Sequence, residues 1–398
     1  MTVSQHPTEA VVVSRAELER RWHALRQLLD IENVEAIVVQ NSNDFLGGHV
    51  RWLTGVAAAH AYPRSVIFFR DRPMVVIEQG AFRSHRMPSA DHDSLRGVAD
   101  WFGSPSYSSV PYTAHYDAEI AVREIQRANV RRVALINPSG MYYPFAQYIV
   151  DRLDTHRIVD LTNQVDRLKA VKSSEEITAI SATAALQDAV IQAVTSFVQP
   201  GMKECEVTAY AQYTAQRLGS EQGIFLIGSA PLGRAATYKG RQFQTRVIGP
   251  GDGFTLLVEV NGPGGYYTEI GRCFVFGKAP AELSDAVAHV VEAQEQTLRH
   301  LIPGARCRDI FARHNAFMAS RGLPEEDRLH CHGQGFDMVE RPLIRRDEDM
   351  EILAGMNIVV HPGYVTPSIF ATICDNFIIG PDGPLPRLHK TPQGIIEL

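Results

Sequence analysis

The stretch FTLLVEVNGPGGYYTEIGR, residues 254 to 272, restricts the fold more than any other part of the chain. Two runs rich in β-branched and aromatic residues, 254–260 and 266–276, flank the turn NGPGG and read as paired strands. Each strand carries a carboxylate in apolar surroundings. Alternation places Glu259 on the same face as Thr255 and Leu257. If that face is buried, desolvation raises the carboxyl pKa and suits Glu259 to act as a general base or nucleophile. If it is exposed, Glu259 is an ordinary strand-face residue.

The remaining pattern is α+β. Ser14 followed by Glu17 forms a capping box ahead of Leu18, Trp22, Leu25 and Leu29 at helical spacing. Short β-rich runs follow at 36–39, 65–69, 74–77 and 133–136, with helical stretches near 116–128 and 140–153, so residues 1–165 read as a smaller α/β domain. A second capping box, Ser173 with Glu176, opens a long helix and marks the start of a domain over 166–398. There, strand pairs at 254–276 and 356–379 alternate with helix pairs, which is the α+β signature.

Composition excludes some partners. The 398 residues carry a formal net charge of -6, which gives no basic field for nucleic acid or for an anionic membrane, and a small-molecule substrate is expected. No run of 18 apolar residues occurs. Five scattered cysteines without a C-x-x-C pair fit a reducing cytoplasm, the expected location. Cys331 and Cys374 lie beside candidate site residues and read as buried small hydrophobes, with a thiol nucleophile as the alternative.

Three further motifs, HCHGQGFDMVERP, GMNIVVHPGY and ATICDNFIIG, contribute His332, His361 and Asp375. Together with the Glu259 and Glu269 segment, their order resembles the creatinase, prolidase and methionine aminopeptidase family, the pita-bread enzymes. The resemblance covers about residues 165–398. It implies a second domain made of two related halves that curl a sheet around the site, and a usual metal-ligand set of Asp, Asp, His, Glu and Glu. Only His332 matches that set. Counted without gaps from Glu269, the first Asp falls on Val258, and a one-residue shortening of NGPGG would return Glu259 to the pocket.

Within the family, GYYT followed by Arg272 and the segment LIPGARCRDI resemble creatinase, and a Glu after two apolar residues resembles ectoine hydrolase. Those members split C–N bonds of small polar solutes without metal. The segment ATYKGRQFQTRVIGPGD contains no His where peptidases and creatinase carry one, and Val339 replaces the His of the H-E-x-P element. The expected function is therefore hydrolysis of a non-peptide C–N bond, in an amidine, cyclic amidine, guanidino or amide metabolite bearing a carboxylate, with no metal cofactor. The alternatives are an Xaa-Pro aminopeptidase or dipeptidase with an atypical metal site, and a non-catalytic binding module.

The expected roles follow from side-chain type. Glu259 activates water or attacks directly, and His332 shuttles the proton. Glu269, His361 and Asp375 orient substrate, with His361 and Asp375 forming a His–carboxylate pair. The bland use of Glu269 is an ion pair with Arg272. If a metal is present, the same five residues are its candidate ligands, for one divalent ion such as zinc or manganese. Arg64 and Arg341 are expected to hold a substrate carboxylate, with Tyr238 and Glu340 adding polar contacts. The resemblance further implies a homodimer, with the N-terminal domain of one subunit near the other's site.

Overall fold

The computed structural model describes residues 13–398 except 44, 47, 59, 90, 91 and 93, together with all side chains in that range other than that of Thr155. The chain divides into two compact units, Val12–Lys169 and Ala170–Leu398.

The first unit is α/β. Ser14 Oγ accepts a hydrogen bond from the Glu17 amide at 3.0 Å and caps the helix Arg15–Ile31, satisfying one of the donors that a helix start leaves open. A seven-stranded mixed sheet runs in the order His85–Arg86, Val98–Ser104, Met74–Gln79, Arg64–Phe69, Ala36–Asn41, Val133–Ile136, Ile158–Asp160. The helices Tyr116–Arg127 and Tyr143–Arg152 pack Ala118, Ala121, Ile125, Phe145 and Ile149 against it. The strand Val98–Ser104 was not among the sequence expectations, because Asp100 and Gly103 interrupt the apolar run that would announce it.

The second unit carries two larger sheets, each with one face covered by helices, and a two-stranded ribbon, Gly363–Val365 with Phe370–Thr372. The first sheet has the order Ile395–Glu397, Tyr267–Val275, Asp252–Asn261, Gly223–Pro231. Its helix face, Phe254, Leu256, Val258, Val260, Ile270 and Phe274, packs on the helices Ser174–Phe197 and Glu204–Arg217 through Val190, Ile191, Val194, Val207 and Ala211. The long helix is apolar because it lies on this sheet. Each fully buried Val or Ile there stabilises by roughly 1.5–3 kcal/mol. The Ser173–Glu176 capping box forms in both directions, with bonds of 3.2 and 2.7 Å.

The second sheet has the order Glu340–Leu343, Cys331–Gly333, Asn357–Val360, Asp375–Gly380, Gly383–Pro384. Its helix face, including Ile358, Val360, Phe377 and Ile379, packs with Ile310 and Phe311 of the helix Cys307–Ser320. Gly271 and Cys374 join the two sheets by reciprocal backbone hydrogen bonds of 3.3 Å. The faces turned away from the helices therefore meet along a line through these two residues.

Register decides what those faces present. The turn between Asn261 and Tyr267 uses Gly264 and Gly265 at φ of 90° and 88°, a conformation that glycine adopts without steric cost. With that turn, Glu259 sits directly opposite Glu269.

Candidate active site

Glu259 and Glu269 share the sheet face that also bears Thr255, Leu257, Gly271 and Cys273. Both carboxylates are buried. Three amide side chains wedged between the sheets support them. Gln334 Nε2 donates to Glu259 Oε1 at 2.8 Å, Asn376 Nδ2 donates to Gln334 Oε1 at 2.8 Å, and Asn376 Oδ1 accepts from the Glu269 amide at 2.8 Å. Asn376 also donates to Asn357 Oδ1 at 3.1 Å. Buried amides persist in apolar strands when their donors and acceptors are matched, as here. Gln334, Asn357 and Asn376 were not among the sequence candidates. The signal for them was a lone amide in each of the apolar runs NIVV and DNFII.

Burial raises both carboxyl pKa values. For Glu259 burial acts first and the charge of Glu269 second, lifting it well above the ordinary range against the pull of the Gln334 hydrogen bond. For Glu269 burial raises the value to about 7, with the Cys374 thiol opposing. Two facing carboxyls in a dry site share a proton near neutrality.

His332, on the strand Cys331–Gly333, faces Glu269, with Nε2 lying 3.9 Å from Oε2. Its Nδ1 is 2.9 Å from the Gly333 carbonyl. A carbonyl only accepts, so Nδ1 carries the hydrogen and Nε2 presents a lone pair. His361 follows the strand Asn357–Val360, and its ring lies 5.0 Å from that of His332 at 68°. His361 Nε2 is buried without a hydrogen-bond partner. Burial lowers the pKa of His332 to about 4 and that of His361 well below the ordinary value, so both imidazoles are neutral.

One ligand atom from each of Glu269, His332 and His361 lies within 4.8 Å of the other two. A carboxylate with two neutral imidazoles is a donor set for a divalent transition metal, and the orphaned His361 Nε2 lacks only such a partner. These residues fit a metal ion. The expectation of a metal-free site is therefore not supported.

Asp375 departs from expectation. It is 0% exposed, on the helix face of its strand, and its Oδ1 accepts from Arg272 Nη2 at 2.7 Å and from Arg387 Nη1 at 3.3 Å. His389 Nδ1 stands 3.5 Å from the same oxygen. Burial raises its pKa, but the Arg272 charge and then His389 outweigh it and hold it at about 2. The expected His361–Asp375 pair is thus not formed. The reason is strand alternation, which turns Asp375 away from the face that bears Glu269. Arg272 is likewise on the opposite face from Glu269 and does not pair with it.

The neighbouring residue, Cys374, occupies the site face. It is 2% exposed, and burial raises its thiol pKa well above the ordinary value, with the charge of Glu269 adding to the rise. A Cβ on Gly271 would come within 2.8 Å of Cys374 Sγ and 3.0 Å of Tyr238 Oη, so glycine is what lets thiol and phenol meet over this strand. Tyr238 Oη is buried without a hydrogen-bond partner, and its ring packs edge-on to Phe370. Its pKa is raised, chiefly by burial.

The other expected substrate contacts are already engaged. Glu340 is paired with the buried Lys172, and Arg341 Nε donates to Glu348 Oε2 at 2.9 Å. In the first unit, Arg64 Nε donates to Glu78 Oε2 at 2.7 Å. One cation went unnoticed in the sequence: exposed Arg328, on the loop before Cys331, whose charge lowers the pKa of Glu259, Glu269, His332 and His361.

The chain is 26% identical over 355 residues to an uncharacterized hydrolase/peptidase of Sinorhizobium fredii, covering 85% of each sequence. It is 28% identical over 241 residues to the probable dipeptidase PepE of Mycobacterium bovis, covering 59% of this chain and 62% of that protein. The fold matches the crystal structure of an X-Pro aminopeptidase from Thermotoga maritima with a TM-score of 0.79 and 17% identity, over 95% of this chain and 99% of that one. The architecture is the pita-bread fold that the motifs implied. The names of these relatives are those of peptidases or probable peptidases, which overturns the expected creatinase-like hydrolysis of a non-peptide C–N bond drawn from GYYT and LIPGARCRDI. A family model for the metallopeptidases matches residues 178–381, just over half of the chain, and the protein belongs to metallopeptidase family M24.

Proposed function

We propose that the protein is a metal-dependent peptidase of small peptides, of the Xaa-Pro dipeptidase or aminopeptidase kind, whose ion is held by Glu269, His332 and His361. The observation that carries this reading is the convergence of those three ligand atoms within 4.8 Å, with His361 Nε2 buried and unpartnered. The names of the relatives support the peptide substrate, since they include a probable dipeptidase and an X-Pro aminopeptidase. A divalent ion there supplies a Lewis acid for the scissile carbonyl and its attacking water.

The protein residues do the rest. Glu259, held by Gln334 opposite Glu269, accepts a proton from the attacking water and returns it to the leaving amine. His332, its Nδ1–H fixed on the Gly333 carbonyl, keeps the Nε2 lone pair facing Glu269, where with His361 it would hold an ion. The buried amides around Gln334 and Asn376 hold both glutamates without adding charge.

The test is hydrolysis of Xaa-Pro dipeptides and tripeptides by protein purified without chelator, with elemental analysis of the same sample. Bound transition metal and turnover in the ordinary enzymatic range, about 1–1000 per second, are expected, with loss of turnover on chelation. Protein that binds no metal and cleaves no Xaa-Pro peptide after incubation with zinc, manganese or cobalt would refute the reading.

A further inference from the structure

We propose that Tyr238 is a further catalytic residue of this site: its phenol O–H donates a hydrogen bond to the oxygen of the scissile peptide group, which gains charge as that carbonyl becomes tetrahedral. The proposal rests on the peptidase reading above and adds an uncharged donor to it.

Tyrosine near a protein surface ordinarily buries its ring and keeps its hydroxyl in water. Tyr238 does the reverse. The residue as a whole is only partly buried, yet Oη is sealed from solvent and has no hydrogen-bond partner. The Thr372 side chain is near enough to ease the phenol's ionisation but forms no hydrogen bond with it. A buried hydroxyl left unpaired destabilises the folded protein. Phenylalanine would make the same edge-on contact with Phe370, at 5.1 Å and 85°, without that penalty. The hydroxyl is therefore explained by a group that arrives from outside the protein.

Three positions bring Oη over the site face. Thr255, on that face, donates from Oγ1 to the Ala236 carbonyl at 2.6 Å. Gly228 lies directly opposite Thr255, and a Cβ there would overlap the Thr237 carbonyl oxygen. The Lys239 amide donates to the Ile227 carbonyl at 3.0 Å, and Lys239 Nζ donates to Glu204 Oε1 at 2.7 Å. Residues 236–239 are thus pinned on both sides of Tyr238. Its Oη ends 3.0 Å from where Gly271 would carry a Cβ.

Gly271 is two residues from Glu269 on the same strand face, roughly 7 Å along it. One substrate carbonyl can therefore lie between the three converging ligands and the phenol. In the reading above the other groups have their tasks, Glu259 with the proton and Glu269, His332 and His361 with the ion. A phenol keeps its proton at neutral pH, so Tyr238 supplies the donor that an oxygen gaining negative charge requires. Glu259 remains the proton carrier, and no proton leaves Tyr238 during turnover.

Tyr238→Phe, made in the full chain and loaded with the same metal as wild type, tests this on alanyl-proline. Its metal content should match wild type, and its Tm should equal or exceed the wild-type value because an unpaired buried hydroxyl has gone. The kcat should fall ~10²–10³-fold, the usual worth of one oxyanion donor, with KM little changed. Affinity for a phosphinic analogue of the dipeptide, which carries a charged oxygen on a tetrahedral centre, should fall by a similar factor, read by calorimetry. A reduced-amide analogue, which lacks the oxygen, should bind both proteins alike. Thr372→Val should keep the wild-type kcat and KM.

With wild type active on alanyl-proline, an unchanged kcat in Tyr238→Phe overturns the assignment and leaves the peptidase reading standing. So does an equal loss of affinity for both analogues, the same loss of kcat in Thr372→Val, or a Tyr238→Phe protein that unfolds or melts lower, since each places the hydroxyl's partner elsewhere. Wild type that neither binds metal nor cleaves the dipeptide removes both readings.

Discussion

Replacing Asp375 with Asn tests whether this residue belongs to the scaffold or to the chemistry. Arg272 makes five hydrogen bonds, to the carbonyls of Gly271, Thr391, Pro392 and Cys374 and to Asp375 Oδ1, over 2.7–3.1 Å. Removing one partner of a buried ion pair costs ~3–5 kcal/mol when it strands the other charge. Here four carbonyl acceptors remain and the Asn oxygen still accepts, so the cost should fall toward the lower end. The depressed carboxyl pKa gives a second figure: lowering it from 3.8 to about 2 corresponds to about 2 kcal/mol. The two routes agree on about 2–3 kcal/mol. For a unit of this size that is a fall in Tm of roughly 4–12 °C.

Thermal and urea unfolding at pH 7, followed by circular dichroism, measure it. The pH dependence has a fixed sign. A carboxyl with a depressed folded-state pKa stabilises above the unfolded value of 3.8, and that stability is lost as pH falls through about 2. The gap between wild type and Asp375→Asn should therefore narrow only below pH 3.8. Metal content and turnover of the folded variant should stay within ~10-fold of wild type, the margin that a purely supporting residue leaves. Unchanged stability together with lost metal would refute this reasoning and return Asp375 to the site.

Other substitutions separate the remaining roles. Glu259→Gln keeps the Gln334 contact within reach and should retain bound metal while turnover falls ~10²–10⁴-fold, the usual worth of a general acid–base group; elemental analysis beside kinetics checks both halves. Burial lowers the His314 pKa to about 4, so the folded state refuses a proton that the unfolded state accepts below 6.5. His314→Gln should remove up to ~3 kcal/mol of the stability loss between pH 6.5 and 4, read from denaturation midpoints at each pH, and should leave the profile above pH 7 unchanged in shape. Gly271→Ala brings a methyl within 2.8 Å of Cys374 Sγ and should cost ~1–3 kcal/mol from overpacking, measured by urea unfolding.

Much of the scaffold was readable because its signals are local. The Ser173–Glu176 capping box names its own helix start, and Glu259 alternates with Thr255 and Leu257 within one strand. Setting Glu259 opposite Glu269 was also within reach, since the length of NGPGG fixes the register. What sequence could not supply was the neutralisation of charged side chains by partners brought up in tertiary packing. Arg64, Arg341 and Glu340 looked available for substrate, but Glu78, Glu348 and Lys172 reach them through tertiary packing.

The misreading of Asp375 has a sharper cause. Counting ligand types along ATICDNFIIG favours the acid over the thiol, because a carboxylate resembles the family's last ligand more closely than sulfur does. Strands, however, allocate side chains by parity rather than by chemistry. Ile270, Arg272 and Phe274 share the helix face, so a fully buried guanidinium there requires an anion from the adjoining strand on the same side. Asp375 meets that requirement at 2.7 Å, and its neighbour must then point the other way, toward Glu269. Arg272 was thus the available signal: a charge on the apolar face of one strand predicts which residue of the next is its partner, and by elimination that Cys374 faces the site.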